Sequence, residues 1–215
     1  MVFRIESVLT GSVRPFADGE ASAIAKTSVE GPRAVRWLGI EGDAQADLSV
    51  HGGPDKAIHH YPRDHYGDWL TALGALPVLQ QAGAFGENIS TTGLIEDAAC
   101  IGDRYRMGTA LVEIAQGRQP CWKQAHRLIN PAVVTMMVKS RRCGWYYRVI
   151  EEGVVAAGND LTLIDRPHPE WSVARVIGLL IACEGKQDLS AVATLAALPV
   201  LAENWRKRAA KMAGR

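Results

Sequence analysis

Apolar and polar residues alternate in short runs through the first 165 residues, and a period of two predicts β-strands. In "FRIESVL" Phe3 and Ile5 face one way, Arg4 and Glu6 the other. "RAVRWLGI" follows the same pattern. "RYRMGTALVEIAQ" predicts a hairpin, because a two-residue turn led by Gly108 suits type II′ geometry. "WYYRVIEEGVVAA" predicts a second hairpin turning near Glu152 and Gly153, and "LTLIDR" a last strand. Many short strands joined by turns point to a barrel or a strongly curved sheet.

The period changes in two inserted stretches. In "YPRDHYGDWLTAL", Pro62 suits a first helical position, and Tyr66, Trp69, Leu70 and Leu73 form one apolar stripe. In "NPAVVTMMVKSRRCG", Asn130 can cap a helix, Pro131 start it and Gly144 stop it. Pro167 and Pro169 then mark a boundary. Beyond them "WSVARVIGLLIACEG", "DLSAVATLAALP" and "LAENWRKRAAKMAGR" predict three helices of about 10–14 residues, too short to stand alone. Asp188 is an N-cap candidate, and Pro199 closes the second helix. The expected division is residues 1–166 and 167–215.

Composition narrows the classes. Apolar residues make up 47% of the chain, which favours a packed core over disorder. A net charge of +1 argues against a broad nucleic-acid footprint but allows a local basic pocket. The start "MVFRIESVLTG" is too short and charged for a signal peptide. "VARVIGLLIAC" is too short to span a membrane, which needs roughly 20 residues. Cys100, Cys121, Cys143 and Cys183 form no CxxC pair, so a zinc ribbon or thioredoxin motif is excluded. Scattered reduced thiols suit the cytoplasm.

Candidate chemistry begins at "AQGRQPCWKQAHR". Cys121 follows Pro120, which stiffens the backbone leading to the thiol. Arg118, Lys123 and Arg127 lie near it, and positive charge favours a thiolate, the nucleophilic and soft-metal-binding form. An inert, half-buried cysteine beside a solvated basic stretch fits the same residues. In "GIEGDAQADLSVHGGPDKAIHHYP", Gly39, Gly42, Gly52 and Gly53 permit close backbone approach. Asp43, Gln45 and Asp47 alternate as if on one strand face, and "HGGPDK" leads into a helix start where Lys56 and exposed amides can hold an anion. "GAFGENIS" sets Gly86, Glu87 and Asn88 in a glycine-punctuated turn, and "SAIAK" puts Lys26 in a polar loop. Ordinary turns and solvated loops explain these segments equally well. His51, His59, His60 and His65 lack the spacing of a zinc site, and His60 with Asp64 reads as a hydrogen-bonded pair.

Taken in order, "SAIAK", "GDAQADLSVHGGPDKAIHHYP", "GAFGENIS", "IGDRYRMG", "QGRQPCWK" and "HPEWSVARV" resemble the MOSC domain proteins, in their YiiM-like subgroup. The resemblance covers nearly the whole chain. It implies a mainly β fold with inserted helices, a curved MOSC-type barrel like that of pyruvate kinase, and a C-terminal three-helix segment. It implies binding of the molybdenum cofactor (molybdopterin), with Cys121 giving a sulfur ligand to the metal. As family properties it also carries molybdenum-ion and pyridoxal-phosphate binding. Related enzymes reduce N-hydroxylated compounds such as N-hydroxylated purines to amines. By that resemblance Lys26, Lys56 and Arg118 are candidates for the pterin and its phosphate. Gly86, Glu87 and Asn88 would meet pterin or substrate, and Asp43, Gln45, His51, Gly52 and Gly53 would line or brace the pocket. With no CxxC and no GxGxxG of its own, the chain is expected to draw electrons from an external flavin-containing reductase. The basic end "WRKRAAKMAGR" is a candidate dock or homodimer contact. A sulfur carrier holding a Cys121 persulfide is the competing reading.

Overall fold

The computed structural model describes residues 1–47 and 52–214, so the expectation for His51 lies outside the described residues. Its strands in chain order are β1 (Val2–Thr10), β2 (Arg14–Ala17), β3 (Glu20–Ser22), β4 (Thr27–Ser28), β5 (Arg33–Arg36) and β6 (Gly39–Ile40). They continue with β7 (Ile58–His60), β8 (Ile89–Thr91), β9 (Arg104–Met107), β10 (Ala110–Gly117), β11 (Trp145–Glu151), β12 (Gly153–Val155) and β13 (Asp160–Asp165). Seven of them run β13-β9-β10-β11-β7-β8-β1, and β1 pairs back onto β13 to close a barrel. Closure removes the exposed edges that an open sheet would present. Among the described residues, only the β7–β8 contact within this ring is parallel.

Alternation sets which side chains fill the barrel. Along β11, Trp145, Tyr147 and Val149 are buried while the residues between them are partly exposed. Ile5 on β1 and Tyr105 and Met107 on β9 join them in the core. The Gly108–Thr109 turn forms as its sequence requires: Gly108 sits at φ 57°, and Met107 pairs with Ala110.

The second predicted hairpin does not form. β12 leaves β11 at Glu152 and pairs with β5 instead, through Val154 and Ala34. Glu152 faces the same β5–β6 hairpin, its carboxylate accepting from Arg36 Nη1 at 3.2 Å and the Trp37 amide at 3.0 Å.

The helices are α1 (Tyr66–Leu73), α2 (Trp122–Arg127), α3 (Val133–Ser140), α4 (Val173–Leu180), α5 (Leu189–Ala196) and α6 (Glu203–Met212). Tyr66 and Trp69 are the buried members of the α1 stripe. Pro62 stands one step earlier than expected. It is extended, at ψ 132°, and caps a one-turn helix that precedes α1. α3 begins after Ala132, with Asn130 Oδ1 accepting from the Ala132 amide at 2.9 Å. It ends at Arg141 in the left-handed region, so Gly144 is not its stop. α2 was not anticipated: it is a single six-residue element with little apolar periodicity.

β13 ends at Asp165 and α4 begins at Val173. The tail helices have 8, 8 and 10 residues, shorter than expected, and Asp188 caps α5 by accepting from the Ala191 amide. Val176, Ile177, Leu195 and Trp205 share one continuous core with the barrel. Backbone bonds from Ile101 to Trp171 and from Ala202 to Ala115, both 2.9 Å, tie the tail on. Among the described residues no helix is long and apolar enough to cross a membrane.

Candidate active-site cleft

The thiol is placed by the end of β10. A register shift between Ile114 and Gln116 bends the strand before it delivers Arg118 to Cys121. Gly117 allows the tail to close on this stretch, since a Cβ there would meet Ile177 at 2.8 Å and Trp205 at 3.0 Å. The Arg118 amide donates to the Gly144 carbonyl at 2.9 Å. Cys121, extended at φ −133°, is the N-cap of α2, and its amide donates to Gln124 Oε1 at 2.8 Å. The side chain is half-buried, whereas Cys143 and Cys100 are buried and Cys183 exposed.

The opposite wall is built on Asn88. Its Oδ1 accepts from the His59 amide at 3.0 Å, and its Nδ2 donates to Leu9 O at 3.1 Å and Asp43 Oδ2 at 2.8 Å. Asp43 also accepts from the Gly11 amide at 2.8 Å and pairs with the Lys26 ammonium. Burial lowers the Lys26 pKa, with the Asp43 carboxylate opposing that shift.

One cleft, open to solvent and about 620 Å³ with its mouth, joins these walls. It brings together Lys26, Gln45, Gly52, Lys56, Gly86, Asn88, Arg118 and Cys121 from the sequence-derived set. Among the described residues, three members of that set do not line it. Asp43 stands behind the wall and holds Lys26 and Asn88 in place. Asp43 is also in a loop after a turn, not on a strand. Glu87 points into the core, where it accepts from the Tyr66 hydroxyl, the Gly83 amide at 2.7 Å and the Phe85 amide at 3.0 Å. Gly53, at φ 89°, starts the one-turn helix Pro54–Lys56.

His59, Lys123, Gln124 and Tyr146 also line the cleft and were not singled out as site residues. Lys123 and Gln124 stand two and three residues after Cys121, and a polar residue at the third helical position is a capping signal that could have flagged Gln124. His59 and Tyr146 carried no such signal. They meet because β7 pairs with β11, which sets their rings 5.0 Å apart. Burial, helped by Arg118, lowers the His59 pKa well below the ordinary histidine value. Burial raises the Tyr146 phenol, opposed by the charge of Arg118 and a hydrogen bond with it.

His60 and His65 are engaged elsewhere. His60 bonds the Tyr147 hydroxyl at 3.0 Å and Thr91 Oγ1 at 2.9 Å, and His65 Nε2 meets Glu96 Oε2 at 2.6 Å. His60 and Asp64 do not pair. Asp64 instead takes the Gly93 amide.

The lining suits a negatively charged, sulfur-seeking guest. Lys26, Lys56, Arg118 and Lys123 outnumber Asp47 among the lining residues. Arg118 Nη1, His59 Nε2 and Gln124 Nε2 are buried without protein partners. A soft thiol stands in the same space, as a thiophilic metal requires. The donor set therefore fits an anionic cofactor that carries such a metal.

The fold and site define a closed seven-strand barrel protein that presents one thiol in a lysine- and arginine-lined cleft. The chain belongs to the MOSC family, within its YiiM-like members. The MOSC domain family model matches residues 47–162. Protein YiiM of Escherichia coli (strain K12) is 42% identical over 159 residues, covering 74% of this chain and 71% of that protein. A Gibberella moniliformis protein named "Reductase" is 38% identical over 156 residues, 72% of this chain but 28% of its own length. The crystal structure of YiiM from Geobacillus stearothermophilus matches with a TM-score of 0.83 at 33% identity, covering 98% of this chain and 99% of that one.

Proposed function

We propose that this chain is a molybdenum cofactor-dependent reductase, acting in the cytoplasm on N-hydroxylated compounds such as N-hydroxylated purines. Its electrons would come from a separate flavin-containing reductase. The observation that carries the reading is Cys121, a half-buried thiol fixed at both backbone and neighbouring side chain inside a positively lined cleft. The relative named as a reductase supports a redox role.

When bound, the cofactor supplies two-electron redox chemistry at a molybdenum ion. The protein's own residues supply attachment, orientation and field. Cys121 Sγ is the attachment point, aimed by Pro120 and by the Gln124 bond to its amide. Lys56 and Arg118 offset the negative charge of a phosphate and of the sulfur ligands, while Lys123 already pairs with Glu20 Oε2 at 3.4 Å and donates to the Ala21 carbonyl at 3.1 Å. Lys26 is largely matched by Asp43 already, so it shapes the wall more than it adds charge. Gly86 keeps the wall flat at φ 78°, and a Cβ there would strike Ile24 Cγ1 at 2.7 Å. Asn88, held by three bonds, keeps that wall rigid.

The test is purification from a host that makes the cofactor, then molybdenum per chain, then reduction of an N-hydroxylated purine with an artificial electron donor. Near-stoichiometric metal and turnover are expected, both lost in Cys121→Ala. Metal-free protein carrying cyanide-labile sulfur would instead establish the persulfide carrier.

A further inference from the structure

Lys56 stands on the cleft wall, and the residue before it is an acid, Asp55. A carboxylate beside an ammonium competes with any anionic guest for that charge. Burial lowers the Lys56 pKa, and the Asp55 charge opposes that shift. The barrel meets the acid from the other side. Arg148 on β11 reaches the one-turn helix Pro54–Lys56, and its Nε and Nη2 both stand 2.8 Å from Asp55 Oδ1. Arg148 Nη1 donates to Glu113 Oε1 at 3.0 Å, and Glu113 Oε2 accepts from Arg104 Nε at 2.8 Å. Strand register makes this possible. Glu113 of β10 pairs with Arg148 of β11 on one side and Arg104 of β9 on the other, so the three side chains share a face. Arg104, Glu113, Arg148 and Asp55 thus form a chain of alternating charge that ends at the cleft's edge. Arg104 matches the buried Glu113 carboxylate from one end, which leaves the Arg148 charge for Asp55. Only 20% of the Arg148 side chain is exposed, so the pair is screened less than a surface contact.

We propose that Arg148 is a positioning residue for the anion-binding end of the cleft: it cancels the charge of Asp55 and draws that carboxylate toward the barrel, so that Lys56 attracts the phosphate group of a ligand. The proposal rests on Lys56 as a phosphate contact and deepens that reading, because it names the residue that sets the strength of the contact. It also differs in sign from a purely mechanical role. If Arg148 only braces the turn, breaking the pair from either side weakens the cleft. If it masks a charge, losing Arg148 weakens phosphate binding and losing the Asp55 charge does not.

The experiment titrates inorganic phosphate by calorimetry, at low ionic strength, into the full chain purified from a host that makes no molybdenum cofactor. Lys56→Gln should weaken binding, which locates the phosphate. Arg148→Gln should weaken it about fivefold or more, since Asp55 is then uncompensated beside Lys56. Arg148→Lys keeps the charge and should recover part of that loss. Asp55→Asn should bind phosphate at least as well as the wild type, and Arg148→Gln/Asp55→Asn should return close to the wild-type affinity. Loss of affinity in Asp55→Asn and in the double variant is the bracing pattern and overturns the proposal. So do an undiminished affinity in Lys56→Gln or Arg148→Gln, and a wild type that binds no phosphate. Melting curves report folding. The Asp55 side chain is 37% exposed, so Asp55→Asn decides the sign even where Arg148→Gln does not fold. Molybdenum per chain, measured on protein from a cofactor-making host, reports separately on the reductase reading. Metal-bearing protein with the bracing pattern loses only the charge role of Arg148. Metal-free protein with the masking pattern keeps that role and loses the reductase reading.

Discussion

Asn88 uses both ends of its carboxamide, binding the His59 amide on one side and Leu9 O and Asp43 on the other. Asn88→Ala would strand a buried carboxylate contact and a strand amide at once. A loss of about 2–3 kcal/mol is expected in a denaturant melt, with weaker metal retention. The four thiols separate by environment. Burial raises Cys143 to about 12 and Cys100 to about 11, so neither forms thiolate at neutral pH. Alkylation followed by mass spectrometry at pH 7.5 should modify Cys183 and Cys121 in the folded protein. Cys100 and Cys143 should react only after unfolding. Labelling of Cys143 in the native state would contradict its burial. At this scale the sequence carries information where a residue's neighbours in the chain are also its neighbours in space: the Cys121 amide bonds Gln124, a capping signal that was present but not singled out. It was misleading for Glu87, because the groups that claim its carboxylate include Tyr66, brought from α1.

Gly144, between α3 and β11, shows how an element junction serves the site. Its carbonyl accepts from Arg118, and its amide donates to Glu96 Oε1 at 2.7 Å. It sits at φ 74°, and a Cβ would fall 2.3 Å from the His60 carbonyl oxygen. Gly144→Ala must therefore both adopt a disfavoured backbone and push strand β7 away. A destabilisation above about 2 kcal/mol is expected, measured by thermal or denaturant unfolding. The local pattern marked this glycine but gave it the wrong task, as a helix stop. The same limit explains β12. Glu152-Gly153 has the composition of a hairpin turn, yet the partner strand β5 lies more than a hundred residues earlier, and alternation carries no information about partners. Amphipathic stripes were the readable part, because α1 buries the face its spacing defines.

At the scale of the molecule, the number and spacing of short strands indicated a curved sheet, and the family resemblance gave its closure. The tail helices, too short to stand alone, were expected to pack together or against the barrel, and they do the latter; which residues meet was not visible, because contacts such as Trp205 with Gly117 join distant segments. Closing the ring places His60 of β7 inside it, while His59, on the opposite face of the strand, is buried at the cleft wall. Burial lowers His60 to about 3 and drives His59 in the same direction. In the unfolded chain both titrate near the ordinary value of about 6.5. Above that pH neither state binds the proton, so folding is unaffected. As pH falls below 6.5, the unfolded chain takes up protons that the native barrel refuses, and stability declines until His60 itself titrates near 3. Each such histidine costs about 1.4 kcal/mol per pH unit in that window, so His60 alone removes roughly 2–3 kcal/mol between pH 6.5 and 4.5. Urea unfolding at half-unit steps from pH 7.5 to 4.5 should give a flat region that turns downward below about 6.5. His60→Gln, which can still reach the Tyr147 and Thr91 hydroxyls, should be less stable at pH 7 but fall off with a shallower slope. Equal slopes in the two proteins would mean that His60 is not held neutral by the closed barrel.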